Sequence, residues 1–265
     1  MSVRMQCKTL GEGHPFVILH GLYGMSENWL PIAKILSSNY KVFLPDWRNH
    51  GYSPHTQSHT YEDLISDLKY FAESHSLERF ILLGHSMGGK AAMKFALENP
   101  EMISSLIVVD IAPVDYNCKR DSSSILQHRT ILDALLSLDL HSIKSRTEAE
   151  NQLLSRISDI RVVRFLLKNL TRDNNQFCWR INLPVLRQYI EEIGSGFDPL
   201  SVNPATSFPV LFIRGANSDY ISTEDIPEIK RFFPFAKIIT VDNASHWVHA
   251  DNPTEFIRVV RKFLE

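Results

Sequence analysis

The chain has 265 residues, 44% of them apolar and 22% charged, with a formal net charge of −2. That length can bury the core of one large α/β domain. The near-neutral charge gives no reason to expect a nucleic-acid or anionic-membrane partner, and no apolar run reaches membrane-spanning length. Cys7, Cys118 and Cys178 are scattered, without metal-ligand spacing or a disulfide framework. The first segment, Met1 to Gln6, lacks the apolar run of a signal peptide. The expected compartment is therefore the reducing cytoplasm, and no metal is expected.

In the first half, short apolar segments alternate with amphipathic ones. Phe16-Val17-Ile18-Leu19 predicts a strand, and residues 28–36 a helix. Lys41-Val42-Phe43-Leu44 predicts a strand closed by Pro45. A helix is expected over 62–73, where Leu64, Ile65, Leu68 and Phe71 fall at helical spacing. A strand at 80–83, a helix at 90–97 and a strand at 105–109 follow. After Pro113 the alternation stops. Between 114 and 200 no parallel strand is legible, and helices are expected at 125–138, 148–167 and 185–193. The alternation resumes with a strand at 209–213, a helix at 226–233, a strand at 238–241 and a helix at 254–264.

The expected fold class is α/β, with a mostly parallel central sheet and helices on both faces. Residues 1–113 and 201–265 would form its core, and 114–200 a helical insertion. An insertion at that point would overhang the carboxyl ends of the strands, where open α/β sheets bind ligands. A purely structural appendage is the alternative. Arg156, Arg161, Arg164 and Lys168 within it read as a solvated helix face.

The chemistry centres on Gly84-His85-Ser86-Met87-Gly88. A strand turning sharply into a helix at a serine presents the hydroxyl as a nucleophile. Glycines two residues either way relieve the crowding of so tight a turn. The Met87 N–H would lie at a helix N-terminus and face a developing oxyanion. His20-Gly21-Leu22-Tyr23-Gly24 follows the first strand, and its turn can offer the Leu22 N–H as a second oxyanion donor. Asp46 through Ser53 is a polar loop expected to brace its neighbours without direct chemistry. A serine needs a base, and His246, after the last strand, fits the chain order Ser, acid, His. His249 is the runner-up, while His20 and His85 read as supports. The acid has two candidates: Asp110, at the carboxyl end of the strand beside the serine, and Asp219, after the following strand.

These residues, taken together, resemble the α/β-hydrolase fold superfamily over nearly the whole chain. Within it, the chain resembles the YbfF-like short-chain acyl esterases and their mitochondrial relatives. The matches are His20 through Gly24, Asp46 through Ser53, Gly84 through Lys90, Val109-Asp110-Ile111-Ala112-Pro113-Val114 and His246-Trp247-Val248-His249-Ala250. The commoner acid position in the superfamily falls here on Ser218, one step before Asp219, which favours Asp110; independently, the resemblance implies Asp110, because that branch uses the aspartate after the earlier strand. The resemblance also implies hydrolysis of short acyl esters or acyl thioesters without a cofactor. Ser245 departs from the pattern, which usually has glycine before the histidine.

The function expected from the residues and the resemblance is that of a serine hydrolase. Ser86, Asp110 and His246 would form the triad, with Leu22 and Met87 as oxyanion donors. Its partner would be a small-molecule acyl ester or thioester. The alternatives are a C–C bond hydrolase or lyase with the same triad, and a ligand receptor that signals through its cap. Dehalogenases and epoxide hydrolases need an aspartate where Ser86 stands.

Overall fold

Phe16, Ile18, Val42, Leu44, Ile81, Leu83 and Ile107 alternate along their segments with Val17, Leu19, Phe43, Leu82, Leu106 and Val108, and both sets are buried. Strands apolar on both faces need cover on both faces. In the computed structural model, which describes residues 1–118, 123–198 and 203–265, helices provide it. The elements run β1 (Cys7–Leu10), β2 (His14–Leu19), α1 (Leu30–Leu36), β3 (Tyr40–Pro45), α2 (Tyr61–Ser74), β4 (Phe80–His85), α3 (Met87–Glu98) and β5 (Ile103–Val109). The inserted segment holds α4 (Ser123–Leu136), α5 (Arg146–Leu154), α6 (Ile160–Leu167), β6 (Leu170–Asp173), β7 (Gln176–Trp179), α7 (Leu183–Gln188) and α8 (Ile190–Gly194). The core closes with β8 (Val210–Gly215), α9 (Ile226–Phe232), β9 (Lys237–Val241), α10 (Val248–Asp251) and α11 (Pro253–Leu264).

Among the described residues the main sheet has seven strands in the order β1-β3-β2-β4-β5-β8-β9. Only β1 runs antiparallel to its neighbour. Trp29, Ile32, Leu36, Phe256 and Val260, from α1, α11 and the turn before α1, cover one face. Leu64, Leu68, Phe71, Ala92 and Phe95, from α2 and α3, cover the other. Side chains on a strand point alternately to the two faces, so each strand feeds both layers.

The register then does the functional work. Leu19 pairs with Gly84, His85 with Val109, and Val109 with Ile213. The residues that leave these strands, His20, Ser86, Asp110 and those after Gly215, therefore emerge along one edge.

The inserted segment departs from the sequence reading in three places. The single helix expected at 148–167 is two, α5 and α6. Asp159 ends the break by capping α6, its carboxylate accepting from the Arg161 N–H at 2.7 Å, an arrangement that favours a new helix start over continuation. The helix expected at 185–193 is likewise divided at Tyr189 into α7 and α8. Between α6 and α7 stands an antiparallel hairpin, β6–β7, that the reading lacked. Its turn residues Asn174 and Asn175 have φ of 45° and 69°, the paired left-handed conformation of a two-residue hairpin turn. The expected boundary between 200 and 201 lies outside the described residues. The two ends of the insert meet beside α3. Tyr116 N–H donates to Gly194 O at 2.9 Å, and the buried Lys90 ammonium donates to both Val114 O and Gly194 O at 3.0 Å.

Candidate active site

Ser86 is the single residue between β4 and α3, and it sits at φ 54°, ψ −124°. A non-glycine residue held at positive φ stores strain that its surroundings must over-determine. Its own N–H is tied to Val109 O at 3.1 Å. A Cβ on Gly84 would lie 2.3 Å from Gly88 O, and one on Gly88 would lie 2.4 Å from His20 O. Glycine at both positions is thus a steric requirement. Met87 begins α3, so its N–H has no partner within the helix. Its side chain turns into the core, with Sδ 3.4 Å from His59 Nε2.

The turn that carries Leu22 is held by two buried histidines. His20 Nε2 accepts from Trp47 N–H at 3.1 Å, which places the ring proton on Nδ1, and Nδ1 donates to Gly21 O at 2.9 Å. His50 repeats the pattern: Nε2 accepts from Tyr23 N–H at 3.3 Å and Nδ1 donates to Arg48 O at 3.1 Å. Burial pushes both imidazoles below their ordinary range, so each stays neutral in one tautomer. Tyr23 is at φ 62°, and Gly24 N–H closes the turn on Gly21 O at 3.0 Å.

The polar loop from Asp46 to Ser53 braces this edge. Asp46 accepts from Ser26 N–H at 2.6 Å and Tyr52 N–H at 2.9 Å. Arg48, fully buried, grips Asp67 with two hydrogen bonds of 2.6 and 2.8 Å and pairs with Asp63 at 2.7 Å.

Asp110 leaves β5 at φ 52° and is completely buried. Its Oδ1 accepts from Gly215 N–H at 3.0 Å. Its Oδ2 accepts from the Ser218 hydroxyl and, at 2.8 Å, from His246 Nδ1. Asp219 is exposed on the rim of the same loop. The two acid candidates are thus separated: Asp110 meets the histidine, while Ser218, at the alternative position, supplies a hydroxyl to Asp110. His249, the runner-up base, is buried with its ring flat on Trp29 at 3.9 Å, and burial pushes its imidazole down to about 3.

The His246 loop is anchored at both ends. Ser245 donates its N–H to Asp251 Oδ2 at 2.8 Å and its hydroxyl to the same oxygen, and Asp251 pairs with Arg161 of α6. Where the resembled esterases have glycine, this chain uses the side chain as a fastener. Arg161 is therefore an ion-pair partner to the core, not part of a purely solvated face. His85 Nε2 donates to His246 O at 2.9 Å.

Leu22, Ser86, His246 and Asp219 border one cavity of about 1540 Å³, roofed by Leu126, Ile131, Val162, Phe165 and Leu166 from α4 and α6. Two neighbours of the site carried no signal in the sequence reading: Tyr220, which stacks on His246, and His128 of α4, which bonds to Tyr220. No three His, Cys, Asp or Glu side chains among the described residues are grouped as metal ligands.

A serine at a strained strand–helix turn, with a buried aspartate at the end of the neighbouring strand bonded to a histidine from the loop after the last strand, is the architecture of the α/β hydrolases. The family model described as the alpha/beta hydrolase fold matches residues 14–253, and the chain belongs to that family. Among its relatives, the sn-1-specific diacylglycerol lipase ABHD11 of Danio rerio is 39% identical over 257 residues, covering 96% of this chain and 80% of that one. Esterase YbfF of Escherichia coli strain K12 is 31% identical over 267 residues, covering 100% of this chain and 99% of that one. A solved structure, a marine microorganism esterase, superposes with a TM-score of 0.94 at 40% identity, covering 99% of this chain and 100% of that one. No helix among the described residues is long and apolar enough to cross a membrane.

Proposed function

We propose that the protein hydrolyses carboxylic esters through an acyl-enzyme on Ser86. The observation that carries this reading is the 2.8 Å contact from His246 Nδ1 to the buried Asp110, beside a serine at the strained turn. Ser86 Oγ attacks the ester carbonyl and His246 Nε2 takes its proton. Asp110 holds the imidazole in the Nδ1–H tautomer and stabilises the imidazolium. The Leu22 and Met87 amides receive the oxyanion. His246 then protonates the departing alcohol. Water, activated by the same imidazole, releases the acid and restores Ser86. A thioester would follow the same steps with a thiol leaving.

Asp110 is the acid in this reading and Asp219 is not. The core comprises 1–113 and 201–265, and 114–200 serves as a cap whose apolar underside sets acyl length. The esterase and lipase names of the relatives support ester cleavage over C–C bond cleavage and over a receptor role. Free thiols at Cys7, Cys118 and Cys178 support a reducing compartment such as the cytoplasm.

The test is hydrolysis of p-nitrophenyl acetate, butyrate and octanoate. The wild type should turn over at least one, and Ser86→Ala should abolish turnover while melting normally. Absence of turnover across esters and thioesters, or turnover unchanged in Ser86→Ala, would overturn the proposal.

A further inference from the structure

The base has a neighbour that the triad description omits. The Tyr220 ring lies flat on the His246 imidazole, with centroids 3.8 Å apart and planes 17° apart. His85 also meets the imidazole, its ring centroid 4.7 Å away and tilted by 41°. Tyr220 is itself fixed on several sides. Its hydroxyl hydrogen-bonds with His128 Nε2 on α4 at 3.1 Å, and its carbonyl accepts from the Tyr116 hydroxyl at 2.6 Å. Its N–H points to Ser218 Oγ at 3.4 Å, the same hydroxyl that donates to Asp110. A ring so tethered cannot drift without disturbing the acid, the base and the first residues of the insert together.

We propose that Tyr220 is a positioning residue for His246: its ring seats the imidazole against Asp110 and favours the imidazolium formed when Ser86 gives up its proton. The proposal rests on the ester-hydrolase reading above. Its physical basis is the negative face of an aromatic ring, which attracts a cation above it more than a neutral group. The imidazole is neutral before proton transfer and cationic after it. An attraction that appears only with the charge lowers the barrier and leaves the ground state alone.

The other groups facing His246 leave that charge to two partners. Asp110 meets Nδ1. His85, His128 and His249 stand close by, but burial holds all three below the ordinary imidazole range, His128 at about 4 and His249 at about 3. They contribute neutral dipoles at working pH. The Asp110 carboxylate at Nδ1 and the Tyr220 face stacked on the ring are the groups that favour the imidazolium.

The hydroxyl and the ring have separable tasks. The bond to His128 ties the insert to the base and holds the ring in place, while the π face acts on the charge. Substitution at 220 divides them. Tyr220→Phe keeps the face and loses the tether. Tyr220→Leu loses both. Phenylalanines with one, three and five ring fluorines keep the shape while draining the negative face stepwise, so packing is preserved even if the leucine variant folds poorly.

The readout is the titration midpoint of the His246 imidazole, followed by NMR on protein labelled at histidine, with kcat for p-nitrophenyl butyrate measured alongside. Tyr220→Phe should titrate at the wild-type midpoint. Tyr220→Leu and the pentafluorinated variant should titrate about half a pH unit lower, with the partly fluorinated variants between, and kcat should fall about threefold in the same order. A midpoint constant along the fluorinated series would overturn the proposal. So would a fall in Tyr220→Phe as large as in the pentafluorinated variant, since that would assign the effect to the hydroxyl. The NMR midpoint needs no turnover. A failure of the ester-hydrolase reading, seen as activity surviving Ser86→Ala, is therefore distinguishable from a failure of the stacking.

Discussion

The carboxyl edge of the sheet and the insert above it are held in different ways. At the edge, Ser86 and Asp110 are pinned by their own main chains: Ser86 N–H to Val109 O at 3.1 Å and Asp110 N–H to Ile213 O at 2.8 Å. Their positive φ values persist because parallel strands on either side leave no alternative path. The insert's helices pack α4 on α7 and α5 on α6, and Leu132, Leu135, Val163 and Leu166 join the same apolar cluster as α2 and α3. The insert reaches the edge through polar contacts, Arg161 to Asp251, His128 to Tyr220 and Asn169 Nδ2 to Tyr23 O at 2.8 Å, and through Phe165 on Trp247. The difference assigns precision to the edge and adaptability to the insert, which suits chemistry on the former and substrate selection on the latter.

The largest expected effect that would sharpen this comparison is acid lability of the edge. His20, His50, His59, His85 and His249 are buried there with imidazoles pushed below the ordinary range, His59 and His249 to about 3. The folded state binds fewer protons than the unfolded chain, whose imidazoles titrate near about 6.5. Stability is therefore complete above that pH and falls as pH drops below it, by up to about 1.4 kcal/mol per histidine per pH unit. Denaturant melts at intervals from pH 7.5 to 5 should show a steep decline below pH 6.5. A flat profile would mean that the edge tolerates charged histidines.

The next effect separates the two acid candidates. Asp110→Asn should cost kcat on the order of 10⁴-fold, because the imidazole loses the partner that selects its tautomer. Asp219→Asn, at the exposed rim, should leave kcat near wild type. The reverse pattern would place the acid on the other strand end.

The Arg48 clamp gives a stability test of the same edge. Arg48→Met leaves Asp67, completely buried, without its bidentate partner, and should cost about 3–5 kcal/mol in denaturant unfolding. A loss under about 1 kcal/mol would show that the loop relaxes and the edge is not rigid.

The smallest effect belongs to the insert. Phe165 lines the cavity and packs on Trp247, with ring centroids 5.0 Å apart. Phe165→Ala should shift the octanoate-to-butyrate ratio of kcat/KM about tenfold while lowering stability by less than about 2 kcal/mol. An unchanged ratio in both Phe165→Ala and Ile131→Ala would remove the insert from substrate selection.

The same contrast explains what could be read in advance. The Ser86 turn was legible because its strand, glycines and helix lie within a few residues and obey local sterics. The strand periodicity of the core was legible because buried parallel strands are apolar on both faces. The Asp110–His246 pair spans 136 residues; the strand-end position and the Ser218 at the commoner slot put Asp110 ahead of Asp219, and the family resemblance supported it independently. In the insert, four-residue strands such as β6 and β7 are too short to show a period, although Asn174-Asn175 marked their turn. The long helix expected at 148–167 ignored Asp159 as a cap. Tyr220 had no sequence signal, since stacking on His246 depends on how two loops from different strands converge.

The central claim is that Ser86 carries the acyl group, and covalent labelling tests it most directly. The wild type and Ser86→Ala would be treated with a fluorophosphonate and examined by intact-protein and peptide mass spectrometry. One adduct per chain, mapped to Ser86 and absent from a normally melting Ser86→Ala, is the predicted result. An adduct on another residue, or labelling that persists in the alanine variant, would contradict it.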